Sequence, residues 1–365
     1  MVTPRASRLP SKPVKSRRVA KPAGPKVRPL LARPGARFTC AGDGLCCTDA
    51  HALGPVTPKE RRQVERFRDD ATVYLPTLDA RVLASTPDGG CVFLRGGAGC
   101  SIHADHGPEA KPDACRRFPY GLVATPDGGR VTTEHRCPCR TLGDRPPLDL
   151  ADAERALTAG KTRVDADARI GPRVRMTTRS RIAWAAYRVQ EDALLARLAQ
   201  GERPETVLGS APLGRLRTST WTDLAHLLRS YVDGTACGEA LVFSGEVLLA
   251  LAGEKTRARF PLRTRRWAKW FDRAEQRAQT PGSGDAVLRD YVEDQLWRMD
   301  WCAYGATFAQ GRADISTRVA LARGVAKRLR SVGVRDDRAM AEAVFVVELT
   351  AATSVWEAVL HQLIA

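Results

Sequence analysis

The sequence is poor in aromatic residues, which make up 6% of its 365 positions, and it carries only six histidines. It also lacks any stretch near the roughly 20 uninterrupted apolar residues that a membrane-spanning helix needs. Its most apolar region, 339–365, is cut by Glu342, Glu348 and Glu357, so the pattern excludes a transmembrane protein. The opening has no apolar core of the about 7–15 residues that mark a secretory signal, and the expected location is cytoplasmic. No P-loop, Ser–His–Asp arrangement or paired-carboxylate motif is present. The Gly282-Ser283-Gly284 turn has no apolar strand before it, which argues against an ordinary Rossmann methyltransferase.

What is abundant is positive charge, and its distribution matters more than the formal total of +17. Residues 1–37 hold eleven Lys and Arg and no acid, whereas residues 38–140 hold thirteen basic and thirteen acidic groups. The excess is thus concentrated in a Pro-rich segment that cannot bury enough apolar surface to fold, and residues 1–37 are expected to be a disordered tail. Such a tail is either a solubilising extension or a weak, salt-sensitive contact for nucleic acid. A second basic run, 257–273, interleaves Arg and Lys with Phe260, Trp267, Trp270 and Phe271. It reads as a solvated helix face with both tryptophans turned into the core.

Cysteine is the other surplus. Eight of the ten cysteines, Cys40, Cys46, Cys47, Cys91, Cys100, Cys115, Cys137 and Cys139, fall within 100 consecutive residues. Disulfides, buried thiols and metal ligation are the alternatives, and the absence of a secretory signal favours metal. Thiolates suit Zn²⁺ or an iron–sulfur cluster, and four complete either kind of site. A structural zinc site contributes on the order of 10–16 kcal/mol, enough to staple a module with a thin core. The adjacent Cys46 and Cys47 either serve different metals or are brought to one by a tight turn. Cys91 and Cys100 stand at the two ends of a hairpin and are expected to converge, as are Cys115 and Cys137. His103, His106 and His135 lie near the cluster but read as loop or strand side chains. Lys111, Arg116 and Arg117 flank Cys115, where cations would offset thiolate charge. Cys237 and Cys302 sit among apolar neighbours and read as packed thiols.

Local signals outline the organisation. Thr57-Pro58-Lys59-Glu60 predicts a helix start with a capping box. Thr86–Gly90 and Thr125–Gly129 are near-copies of one turn, each between short β-prone runs, and predict hairpins. A further hairpin is expected from Cys91–Leu94 to Cys100–His103. From residue 149 the apolar spacing becomes helical. Helices are expected over 178–200 and 221–232, and on a stripe through Leu288, Val292, Leu296, Met299 and Ala303. A last one is expected after Asp336-Asp337. Trp184, Trp297, Trp301 and Trp356 read as core.

Five blocks then occur in order: Phe38-Thr39-Cys40 with Gly44, Cys46 and Cys47; Cys91–Leu94; Cys100–His103; Pro112; and Cys115–Tyr120. Over residues 38–140 this arrangement resembles the YkgJ cysteine-cluster family, described as a zinc- or iron-chelating domain. The chain departs from that family in having Lys111-Pro112 where Arg-Pro is usual, and Cys139 lies beyond the last matched cysteine. The same cysteine pattern is similar to that of flagellin lysine-N-methylase, a relative with a long helical C-terminal region. That resemblance implies S-adenosylmethionine-dependent protein lysine methylation assisted by an iron–sulfur cluster.

The sequence therefore predicts an α+β protein, in which a small irregular metal-stapled Cys-rich hairpin module (38–148) is followed by an all-α helical domain (149–365). The expected function is binding of zinc or an iron–sulfur cluster by the eight clustered cysteines, with the helical domain engaging a protein partner or substrate.

Overall fold

The computed structural model describes residues 24–365 except 41–43, 52, 76–78, 96–98, 144, 159–163, 213–217, 255–259, 277–281 and 365, and omits the side chains of 218–219 and 360–364. It is 52% helical and 13% strand, which makes the chain α+β. Residues 24–148 form β1 (Leu30–Leu31), α1 (Pro58–Val64), β2 (Thr72–Leu75), β3 (Ala80–Leu83), β4 (Leu94–Arg95) and β5 (Gly99–Cys100). They continue with α2 (Ser101–His106), α3 (Asp113–Arg117), β6 (Tyr120–Ala124), β7 (Gly129–Thr133) and α4 (Pro138–Thr141). Next come α5 (Leu150–Thr158), β8 (Ala168–Arg169), β9 (Arg173–Arg175) and β10 (Arg181–Ala183). The remaining regular elements described are helical: α6 (Trp184–Ala199), α7 (Pro204–Leu208), α8 (Thr218–Arg229), α9 (Ala236–Leu251) and α10 (Ala268–Gln276). The last are α11 (Gly284–Arg298), α12 (Asp300–Ala303), α13 (Phe308–Ser331), α14 (Asp336–Ala351) and α15 (Ser354–Ile364).

Local chemistry accounts for several of these elements. The Thr57 hydroxyl accepts from the Glu60 N–H at 3.3 Å and the Glu60 carboxylate accepts from the Thr57 N–H at 2.9 Å, so the capping box is complete. β6 and β7 pair antiparallel through the Thr125–Gly128 turn, where the Thr125 hydroxyl donates to the Gly128 carbonyl at 2.8 Å. The 86–90 turn closes with the Thr86 N–H donating to the Gly90 carbonyl at 2.7 Å, and Gly89 adopts a φ of 85°. β1 runs parallel to β7, and β8 runs parallel to β6, giving the sheet order β1-β7-β6-β8. A Cβ at Gly129 would lie 2.3 Å from the Val27 carbonyl oxygen, so glycine is what lets the N-terminal segment approach.

The helical part is built around α14. Every residue from Ala339 to Val347 is fully buried, and the helix packs against α9, α11 and α13. A helix apolar on all sides belongs in the middle of a bundle. Its one acid in that stretch, Glu342, is satisfied by Arg265 at 2.7 Å and by the Trp267 indole N–H at 3.0 Å.

The structure corrects several expectations. Residues 24–37 are not a disordered tail: β1 completes the sheet edge, and Arg33 is 3% exposed. Residues 1–23 lie outside the described residues. The expected boundary at 148/149 is not a seam, because β8 joins the sheet and one apolar cluster runs from Phe38 and Leu45 to Trp356. The region after 149 is not all-α, since β8, β9 and β10 precede its first long helix. The helix expected over 178–200 starts at Trp184 because 181–183 pair with 173–175. The second arm of the Cys91–His103 hairpin ends at Cys100, where α2 begins. The stripe from Leu288 breaks at Met299, which adopts a φ of 55°, and Ala303 is exposed. α14 is followed by one more helix, α15. In the second basic run, Trp267 and Trp270 are buried as expected, but Phe271 and Arg265 are buried as well; Arg257 and Arg259 lie outside the described residues. Trp184, Trp297, Trp301 and Trp356 are all core.

No described helix is long and apolar enough to cross a membrane.

Candidate metal centre

None of the ten cysteines is in a disulfide. The eight clustered thiols divide into two groups of four. The first comprises Cys47, Cys91, Cys100 and Cys115. Cys47 follows the Gly44 turn and its N–H donates to the Gly44 carbonyl at 2.8 Å; its own carbonyl accepts from the Cys91 N–H at 2.9 Å. Cys100 ends β5 and Cys115 lies in α3. All four pack on one small apolar cluster that includes Val64, Leu83, Phe93 and Ile102. Burial pushes the Cys91 and Cys115 thiols up to about 12, and repulsion from Cys47 and Cys100 adds to this in both; Lys111 works against it.

The second group comprises Cys40, Cys46, Cys137 and Cys139. Cys137 caps α4 and Cys139 lies within it, and both are buried in the large helical core. A hydrogen bond with Cys139 is the main cause that raises the Cys137 thiol well above its usual range, followed by burial and by repulsion from Cys139 and Cys40. Cys46 is likewise raised well above its usual range, first by a hydrogen bond with Cys47, then by burial and by repulsion from Cys47, Cys137 and Cys40. The Cys46–Cys47 pair is therefore the junction: each thiol belongs to a different group, and the two touch.

Cys91 and Cys100 come together as expected, but Cys115 and Cys137 do not, because each joins a different group. Among the described residues, no three or more Cys, His, Asp or Glu side chains are placed so that they could hold a metal ion together. The apolar cluster beneath Cys47, Cys91, Cys100 and Cys115 is small, with Leu53, Val56 and Ala71 completing its buried members. A buried neutral thiol is a weak hydrogen-bonding group that packs as a small apolar one. The same thiols, deprotonated, are the donors that a soft or borderline cation selects. The donors are thus of a type that suits such a cation, but their side chains are not assembled around one.

The neighbouring side chains fall into place differently from the expectation. Arg116 pairs with Asp113, and Arg117 with Asp167 at 2.9 Å, leaving Lys111 as the cation acting on Cys91 and Cys115. His103 is exposed on α2, and His106 stacks on Phe67 at 4.1 Å. His135 is buried, with Nε2 2.9 Å from Asp294. Cys237 and Cys302 pack on the helical core, and burial pushes both thiols up to about 12.

Two features beside the thiols carried no usable sequence signal. His51, four residues beyond Cys47, has both ring nitrogens buried without a hydrogen-bond partner, and its ring lies 5.2 Å from that of Phe118. Desolvation lowers its pKa to about 3, so it is neutral. The other is a buried ion network behind α4. Asp290 and Asp294, one turn apart on α11, receive Arg33 and Arg140, and Arg33 also reaches Glu293. Burial pushes the Asp294 carboxyl up, but Arg33, Arg140 and His135 outweigh it and hold it well below its usual range. The partners of these aspartates come from 257 and 150 residues away, beyond the reach of any local pattern.

Compared with known protein families, with curated proteins and with solved structures, the chain finds no match.

Proposed function

We propose that this is a cytoplasmic metal-binding protein whose eight clustered cysteines chelate zinc or iron–sulfur as two four-thiolate sites, Cys47/Cys91/Cys100/Cys115 and Cys40/Cys46/Cys137/Cys139. The observation that supports this is the grouping of the thiols: Cys47, Cys91, Cys100 and Cys115 share one apolar cluster, Cys40 and Cys46 interact with Cys137 beside Cys139, and the two sets meet at Cys46-Cys47. Metal uptake exchanges thiol protons for a cation, so the burial that raises the thiol pKa values is offset by the metal's charge. The first site would staple the thin cluster around Phe93. The second would tie the sheet to the helical core, which presents the surface for a protein partner or substrate. The resemblance to the YkgJ cysteine-cluster family points the same way.

Anaerobic purification followed by elemental analysis tests the reading. Zinc at two per chain, or iron with acid-labile sulfide and a brown colour, is the expected result. Reduced, fully folded protein that contains neither zinc nor iron and takes up neither overturns it. Saturable binding of S-adenosylmethionine by the brown form would extend the reading to lysine methylation.

A further inference from the structure

A cleft of about 380 Å³ opens between Thr141, Gly143 and Arg145 on one side and the start of α11 on the other, and is also lined by Arg37, Arg140, Arg289 and Glu293. That volume lies in the range of small-molecule sites. Its arginines differ in how they are used. Arg140 is committed to Asp290 and Asp294. Arg145 is not: it is 8% exposed, and its Nε and Nη2 make no hydrogen bond. An unpartnered buried guanidinium edge is costly, because burial takes its N–H groups from water without supplying another acceptor. The backbone holds it in place nevertheless. The Arg37 guanidinium donates to the Arg145 carbonyl, the Phe38 N–H donates to the Pro146 carbonyl at 3.1 Å, and the Leu148 N–H to the Ala36 carbonyl at 3.0 Å. Arg289, half-buried on the opposite wall, makes no ion pair among the described residues, although its charge acts on Asp285 and Glu293, each one turn away on α11. The acids of the cleft are engaged by other arginines: Asp290 by Arg33 and Arg140, Glu293 by Arg33, and Asp337 by Arg335. The N-terminus of α11 borders the cleft at Gly282 and Ser283, but its N–H groups are already taken by Asp337, Asp336 and the Ser283 hydroxyl, so the arginines are the groups left for an anion.

We infer that this cleft binds the oxyanion group of a small molecule, a carboxylate or a phosphate, with Arg145 as its bidentate anchor and Arg289 as the second cation. The Nε–Nη2 edge matches two oxygens of either group, and a planar fork is the side chain suited to that recognition. The inference is independent of whether the thiols hold metal.

The test is calorimetric titration of the full-length protein with inorganic phosphate and, separately, with succinate, at ionic strength held constant with chloride. Saturable one-site binding of at least one probe is expected; the probe that binds tells phosphate from carboxylate. Arg145→Met is expected to weaken that binding by about tenfold or more while its ligand-free Tm stays at or above that of the parent, because it removes a charge that had no partner. Arg289→Met is expected to weaken binding in the same direction without loss of fold. Absence of saturable binding of both probes overturns the inference. So does unchanged binding in either variant, or a Tm of Arg145→Met several degrees below the parent's, which would make Arg145 a part of the loop's scaffold.

Discussion

Cys46 and Cys47 are neighbours in the chain, yet each interacts with a different set of thiols. Both lie within the turn that the Cys47 N–H closes on the Gly44 carbonyl, and the turn directs the two side chains to different neighbours. Variants therefore separate the two groups. Cys115→Ser and Cys139→Ser are each expected to lose about half the metal, and Cys302→Ser none, by elemental analysis of the folded protein. Full metal in Cys115→Ser would remove that residue from the ligand set. A second prediction concerns Arg130, which donates to both Glu191 oxygens at 2.8 and 2.7 Å and lies over the rings of Trp184 and Trp297 at 4.8 and 4.1 Å. Removing one member of a buried pair leaves the other charge dry and uncompensated. Glu191→Ala is expected to cost about 3–5 kcal/mol in urea unfolding; a loss below 1 kcal/mol would contradict the pair's buried character.

At the scale of elements, the capping box of α1 offers a clean measurement. Thr57→Ala deletes a solvent-facing cap with little packing and is expected to cost about 1 kcal/mol. That helix start was legible in four consecutive residues because its hydrogen bonds are made within them. The paired turns at 86–90 and 125–129 were legible for the same reason. The break in the α11 stripe was not, because Met299 adopts a left-handed conformation that methionine does not signal; the buried site it occupies imposes it. The position of β1 was hidden too. A two-residue strand in a Pro-rich basic stretch has no period of its own, and it exists only because β7 presents glycine where it must approach. Of the candidate site, the clustering of eight cysteines was plain in the sequence, but their grouping in space depends on contacts between distant segments.

At the scale of the whole molecule, the ion network ties the N-terminal segment to the helical core and sets a pH dependence. Three acids of α11, Asp290, Glu293 and Asp294, face the two arginines Arg33 and Arg140, with Arg289 on the same helix. Burial, with repulsion from Asp290 and Asp294, outweighs Arg33 and raises the Glu293 carboxyl to about 7. A carboxyl near 4.3 when unfolded and near 7 when folded favours the folded state fully below about pH 4, and that contribution is lost as pH rises toward 7. Glu293→Gln keeps the contact with Arg33 without the charge. Its stability relative to the parent is expected to be flat below about pH 4 and to rise between about pH 4 and 7, followed by chemical denaturation across that range. A difference that stays constant with pH would show that Glu293 does not titrate there.

Arg33 and Asp294 are 261 residues apart in sequence and 2.6 Å apart in space. During synthesis the segment around Arg33 leaves the ribosome early, and its acidic counterpart emerges only after most of the chain has been made. Until then a cationic strand waits beside a growing polypeptide without its anchor, exposed to proteases and to passing polyanions. The segment that carries the sheet's outer edge is thus anchored by a residue translated 261 positions later, which makes the docking of α11 the step that locks it.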